Sequence, residues 1–180
     1  LGSVYLSRHH FREALELAQK ALDMNPFSAY TYGVLVDALV ELGNYDEAVQ
    51  SVQKMIDTRP DLSSYSRVSY IRELNGDMQG AIDAMKSAVK AGSPIAENTA
   101  WCRVQLGNLF YNNGDVETAE KIFGFVVKDF PNYIHGYGGL AKIKMHKKEY
   151  KEAIELYQKA LEKNSLPEYL IALGDVYTLT

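Results

Sequence analysis

The sequence predicts an all-α fold built from one short helical unit copied along the chain. Three columns of residues carry that reading. An alanine recurs at positions 14, 48, 81, 119 and 153, at intervals of 34, 33, 38 and 34 residues, and a near-constant period in this range marks a repeated supersecondary unit. Five residues before each alanine stand His9, Gly43, Gly76, Gly114 and Lys148, a turn-forming column. Twelve residues after it stand Pro26, Pro60, Ser93, Pro131 and Ser165. Proline there ends a helix, because it cannot donate the next hydrogen bond.

Each recurring alanine falls in the second helix of its unit. That helix starts just after the turn, at the column His10, Asn44, Asp77, Asp115 and Glu149. Asn44, Asp77 and Asp115 suit an N-cap, since their side-chain oxygens can accept from orphan amides, and Asn44 with Glu47 has the spacing of a capping box. Ala14, Leu15, Ala18, Ala21 and Leu22 in the first unit share one helical face, as do Ala153, Ile154, Tyr157, Ala160 and Leu161 in the fifth. The first helix of each unit lies between a proline stop and the next turn. These helices share a mostly small column, Gly2, Val36, Ser69, Gly107, Ala141 and Gly174. Three residues beyond it stand Tyr5, Leu39, Phe110 and Tyr177, and four before it Tyr32, Tyr65 and Tyr137, so large side chains interleave with small ones.

The third unit departs from the pattern, with Ser69 in the small column, Arg72 where an aromatic is usual and Gly80 beside the alanine. Its glycines lower helix propensity, which predicts the softest unit. The 38-residue interval holds four extra residues within 91–99, close to one helical turn. Ser93 is expected to cap, and Pro94 to open, a longer first helix in the fourth unit. The chain enters and leaves partway through first helices. It therefore reads as part of a longer array, with Leu170, Leu173, Val176 and Tyr177 as apolar surface at one end and self-association through the ends as a consequence.

On these residues the chain resembles the tetratricopeptide repeat (TPR) family. The resemblance is carried by Leu-Gly-x-x-Tyr at 1–5, Gly-Asn-Tyr-Asp-Glu-Ala at 43–48 with Pro60, and Leu-Gly-x-x-Phe at 106–110 with Gly114, Asp115, Ala119 and Pro131. Tyr-x-x-Ala-Ile-x-x-Tyr-x-x-Ala-Leu at 150–161 completes it. The family implies a right-handed superhelical solenoid of antiparallel helix pairs, with the first helices lining a concave face. It divides the chain into a partial unit 1–28, units 29–61, 62–95, 96–133 and 134–166, and a lone first helix over 167–180.

Composition sets the classes the chain does not fit. The chain has 180 residues, 47% hydrophobic and 23% charged, with a formal net charge of −4. That is a core-forming composition without the basic excess of a nucleic-acid module. No run of 18 apolar residues is present, so membrane insertion is not expected. The single cysteine, Cys102, excludes an internal disulfide and a cysteine-based zinc site; it slightly favours a reducing compartment and otherwise leaves localisation open. Cys102 lacks a base partner in sequence and reads as a small buried side chain. His9, His10 and Glu13 lack a third ligand at a recognisable spacing and read as turn residues, so no metal is expected. Gly136, Gly138 and Gly139 lack the strand and the Gly-Lys-Ser/Thr of a phosphate loop and read as close helix packing or a groove floor. No catalytic constellation or cofactor fingerprint emerges, so neither enzymatic activity nor a cofactor is expected. Residues 134–166 carry seven lysines and four glutamates, read as a solvated face or, more sharply, a surface for an acidic segment.

The resemblance implies a protein or peptide partner bound by first-helix positions. Carried onto this sequence, these are Tyr30 and Asp37 in the second unit, and Arg67 and Tyr70 in the third. The fourth gives Trp101, Gln105, Asn108 and Tyr111, and the fifth His135 and Lys142. Aromatic rings, Arg and amides are the composition of binding hot spots. Chaperone-binding members hold a terminal carboxylate with a set of Lys, Asn and Arg. The corresponding positions here, Gly33, Asp37, Arg67, Trp101 and Gln105 in one window and Ser66, Tyr70, Gln105, His135 and Gly139 in the next, do not match it. The expected role is an interaction scaffold. The alternative is the substrate-recognition arm of a larger enzyme, such as a glycosyltransferase.

Overall fold

The computed structural model describes all 180 residues, Leu1–Thr180, and contains eleven α-helices and no strand. The chain divides into two compact units, Leu1–Ala91 and Gly92–Thr180. The first holds α1 (Gly2–Ser7) paired with α2 (Phe11–Met24), α3 (Ala29–Glu41) with α4 (Tyr45–Thr58), and α5 (Leu62–Leu74) with α6 (Met78–Ala91). The second holds α7 (Glu97–Asn112) with α8 (Val116–Asp129), α9 (Ile134–His146) with α10 (Tyr150–Lys163), and α11 (Pro167–Thr178). No helix is long and apolar enough to cross a membrane.

The recurring alanines lie fully inside the packing: Ala14, Ala48, Ala81, Ala119 and Ala153 are all 0% exposed. A methyl there lets the facing first helix approach closely, and larger neighbours fill the space on either side. In the first unit Val36, Leu39 and Val52 surround the site, joined by the partly buried Tyr5, Tyr32 and Val68. In the second, Phe123 and Val126 of α8 sit with Val104 and Ile143, while Tyr157, Tyr169 and Val176 form a further cluster.

The turn column has a single backbone solution. His9, Gly43, Gly76, Gly114 and Lys148 all adopt positive φ, from 59° to 86°. Around each, two hydrogen bonds close the helix end. Gly43 N–H reaches Val40 O at 3.0 Å and Asn44 N–H reaches Leu39 O at 2.8 Å. The same pair recurs at His9 and His10, Gly76 and Asp77, Gly114 and Asp115, and Lys148 and Glu149. This is the Schellman arrangement, which satisfies carbonyls that the helix leaves unpaired.

The caps follow the sequence only in part. Asp115 accepts from Thr118 N–H at 3.0 Å and Asp77 from Gly80 N–H at 2.9 Å. Asn44 makes no side-chain cap bond, so the expected capping box with Glu47 does not form. A capping box forms instead at Asp61 with Ser64, at the start of α5. There Asp61 has extended backbone, which aims its carboxylate at the amides of Ser63 and Ser64.

The departures in the third pair are mutually compensating. Ser69 Oγ donates to the carbonyl of Ala81 at 2.8 Å, so a polar residue stands in the small column fully satisfied. Arg72 donates to Gly80 O at 3.2 Å. A side chain at position 80 would meet the capping carboxylate of Asp77, whose Oδ2 lies 2.0 Å from an ideal Cβ.

Two further expectations are corrected. The first helix α7 is longer, 16 residues against 13 for α3, α5 and α9, but it starts at Glu97, and Pro94 does not open it. Residues 93–96 form a turn closed by Ala96 N–H to Ser93 O at 3.1 Å. Pro94 takes its second position, where a φ fixed near −65° is already correct. At the end of the chain Leu170 and Tyr177 are exposed, together with Ile171 and Leu179. Val176, expected with them, is fully buried beside Tyr157 and Ala160.

Candidate functional site

Three of the first helices, α7, α9 and α11, bound a groove of about 430 Å³ within the second unit. Trp101, Gln105 and Asn108 follow one another along α7 at helical spacings of four and three, so they form one stripe. His135, Gly138, Gly139 and Lys142 form the facing stripe on α9, and Glu168, Tyr169 and Ala172 close the groove from α11. Five of the ten residues expected from the sequence meet here: Trp101, Gln105, Asn108, His135 and Lys142.

The floor carries two glycines at points where bulky neighbours press in. An ideal Cβ on Gly139 would lie 2.3 Å from Cδ1 of Phe123, and one on Gly138 would lie 2.5 Å from Cε1 of Tyr169. Both approaches are far inside van der Waals contact, so the glycines serve close packing and leave the groove open above them. Trp101 is 43% exposed, a high value for its size. Gln105 and Asn108 are partly buried, and their amides make no hydrogen bond within the chain.

One end of the groove is aromatic. His135 Nδ1 lies 2.7 Å from the hydroxyl of Tyr169 and 3.6 Å from the carboxylate of Glu168. The ring of Tyr133 stands edge-on to His135 at 5.2 Å. Burial raises the phenol of Tyr169 strongly and that of Tyr133 in the same direction. The other end is cationic. The ammonium of Lys142 sits 4.2 Å from the ring centre of Tyr111, the geometry of a cation–π contact, and joins no ion pair. Desolvation lowers its pKa. Its neighbours differ: Lys144 pairs with Glu149 and, at 3.7 Å, with Glu120, and Lys147 pairs with Glu120 at 2.5 Å. Lys144 and Lys147 are thus neutralised, and Lys142 alone among these three lines the groove.

The expected residues of the first unit do not form a comparable site. Arg67 of α5 donates from Nε to Asp37 Oδ1 at 2.8 Å and from Nη2 to Oδ2 at 2.6 Å. Its remaining nitrogen donates to the carbonyl and hydroxyl of Ser63. The guanidinium stands over Gly33, where a side chain would meet Cζ at 3.2 Å. Both groups are engaged with each other. Tyr30, 72% exposed, donates to Ser3 at 2.9 Å, and Tyr70 is exposed with its phenol raised first by desolvation and then by Glu41. Cys102 is buried, and burial alone pushes its thiol up to about 12, which leaves it protonated and unreactive.

Two sequence models, each describing a tetratricopeptide repeat, match residues 5–69 and 104–166, together more than two thirds of the chain. The chain belongs to the TPR family. TPR proteins are in general protein-interaction modules. Among solved structures the fold is similar to TTC0263, a thermophilic TPR protein of Thermus thermophilus, at 20% identity and a TM-score of 0.79, with 98% of this chain and 95% of that one covered. It is also similar to PilF of Pseudomonas aeruginosa, at 16% identity and a TM-score of 0.81, over 98% of this chain and 81% of that one. A third is YrrB, described as a TPR protein with an unusual peptide-binding site, at 18% identity and a TM-score of 0.65, over 97% and 88%. At these identities the likeness is one of fold. No curated protein sequence matches significantly.

Six groove residues escape the sequence reading: Val104, Tyr133, Tyr157, Glu168, Tyr169 and Ala172. A signal for two is present. The TPR positions that select Trp101 and His135 select Glu168 when carried one repeat further, and those that select Gln105 and Gly139 select Ala172. Val104, Tyr157 and Tyr169 are buried in the helix packing and Tyr133 precedes α9, and only the three-dimensional arrangement shows that they reach the groove.

Proposed function

We propose that this TPR chain is a non-catalytic interaction scaffold that holds an extended segment of a partner protein in the groove between α7, α9 and α11. The unit divisions set out above belong to the same reading. One observation carries it: the indole of Trp101 and the amides of Gln105 and Asn108 line the groove without hydrogen-bond partners in the chain. An extended peptide leaves its backbone N–H and C=O groups unpaired, and primary amides can serve both at once. The half-exposed indole supplies contact area at small entropic expense. Asp37 and Arg67, by contrast, would have to break their mutual pair to serve a ligand. The peptide-binding site ascribed to YrrB, a protein of similar fold, supports this reading.

Site-specific photocrosslinking tests this reading. A benzophenone amino acid placed at Gln105 is expected to capture partner protein, and the same probe at the exposed Phe125 of α8 is not. Adding Trp101→Ala and Asn108→Ala should abolish the adduct at 105. Equal capture at 105 and 125, or an adduct indifferent to both substitutions, would refute the groove as the binding site.

A further inference from the structure

The chemistry of the two ends specifies the segment more narrowly, on the assumption that the groove binds peptide at all. We infer that the groove selects a segment in which an Asp or Glu side chain lies about three residues from a large apolar or aromatic one. The acidic residue would meet Lys142 and the apolar one the wall formed by Trp101 and Tyr133.

The charge argument comes first. Lys142 is an exposed cation without a carboxylate partner, held over the ring of Tyr111 at 4.2 Å on the edge of the groove. Every other charged group of the groove is at the opposite end, where Glu168 lies beside His135. Glu120 on α8 and Glu149 before α10 are engaged with Lys144 and Lys147, and Asp175 of α11 acts on the phenol of Tyr157 without pairing with Lys142. An ammonium that faces the groove without a counter-ion is the natural partner of an incoming carboxylate. A cationic segment would be repelled at this end.

Spacing follows from geometry. Trp101 and Asn108 are seven residues apart on α7, a rise of about 10 Å along the helix. His135 and Lys142 repeat that separation on α9, so the aromatic and cationic ends are the same distance apart on both walls. An extended chain covers about 10 Å in three residues. Gln105, between the ends, and Asn108, level with Lys142, would face the backbone of the segment. A side-chain carboxylate fits better than a chain end, because the site offers one flexible ammonium. One turn towards the aromatic end is Gly139, and one turn the other way is His146, whose ring stands edge-on to Tyr111 at 5.7 Å, so neither supplies a second ammonium.

The test uses the whole chain, labelled with ¹⁵N, and blocked synthetic peptides followed by amide chemical shifts. The probes are acetyl-Ser-Phe-Ala-Ser-Glu-Ser-amide and the reversed order acetyl-Ser-Glu-Ser-Ala-Phe-Ser-amide, each also made with Gln in place of Glu. In at least one order the Glu peptide should bind about tenfold tighter than its Gln counterpart and shift amides in 101–108 and 135–142. Such a ratio is what one charge-assisted hydrogen bond in a partly dry groove supplies. Lys142→Met retains the alkyl stem and should abolish the Glu preference while the Phe-dependent shifts remain. Equal binding of Glu and Gln peptides overturns the acidic selectivity and leaves the groove reading standing. Equal binding by acetyl-Ser-Phe-Ala-Ser with a free carboxylate overturns the choice of a side chain. If no peptide moves these amides, both readings fall.

Discussion

His9 and Lys148 hold φ of 59° and 62°, a conformation their three counterparts reach with glycine. The left-handed region brings Cβ against the following carbonyl and costs an L-residue roughly 1–2 kcal/mol. Nothing lies within 4 Å of a Cβ built on Gly43, Gly76 or Gly114, so these turns are open and the strain is purely of the backbone. Lys148→Gly is therefore expected to raise stability by about 1 kcal/mol, the larger unfolded-state freedom of glycine taking back part of the gain. His9→Gly should gain less, because the imidazole stacks edge-on against Phe11 at 5.5 Å. Urea denaturation of the two variants, with Gly43→Ala as the opposite-sign control, measures the difference. A fall in midpoint for Lys148→Gly would mean that the lysine side chain contributes more than its backbone costs.

Between elements, the bidentate pair of Arg67 and Asp37 joins α5 to α3 across thirty residues of sequence. Both side chains are partly exposed, which reduces the worth of the charge, but the two parallel bonds and the extra anchorage on Ser63 fix the geometry. A double-mutant cycle with Arg67→Met and Asp37→Asn is expected to give a coupling of about 1 kcal/mol, measured by denaturant unfolding. A coupling of zero would return both residues to the pool of free binding groups. This pair marks the limit of what the sequence makes legible. Helices, turns and the buried alanines are legible because each rests on local chemistry repeated five times: left-handed turns favour Gly, stops favour Pro, and close approach needs Ala. The N-cap at Asn44 and the start of α7 are not, because a residue suited to a role need not be placed to fill it. Pro94 fits a turn as well as it fits the first position of a helix. Trp101, Gln105, Asn108, His135 and Lys142 are legible as a stripe per helix. Which of them stay free for a ligand depends on pairings, such as Arg67 with Asp37 or Lys144 with Glu149, that join residues from different columns.

At the scale of the whole molecule, the titrating groups bound the pH range of stability from both sides. Glu120 is held below its ordinary 4.5, chiefly by the hydrogen bond from Lys147, and Asp115 below 3.8, chiefly by the amide of Thr118. Glu13 and Asp83 shift the same way, the first through a backbone hydrogen bond and the second through Gln79. For such carboxylates the folded state binds protons less readily than the unfolded chain. Their contribution is complete above about pH 4.5 and is lost as pH falls through the folded values. The tyrosines act with the opposite sign. Burial raises Tyr70, Tyr133, Tyr157 and Tyr169 above 10.0, so their contribution is complete below pH 10 and disappears as pH rises through the folded values. Lys144, raised above 10.5 by Glu149, adds to that alkaline limb. Lys142 runs counter to both: desolvation depresses it below 10.5, so its charged form weighs against folding at neutral pH. Thermal unfolding is accordingly expected to show a plateau of Tm between about pH 5 and 9, falling on either side. Lys142→Met should lift the plateau and steepen the alkaline limb, where the relief on deprotonating Lys142 is lost, and Glu120→Gln should shallow the acid limb. A Lys142→Met variant that melts earlier at pH 7 would mean that the lysine stem and its contact with Tyr111 outweigh desolvation.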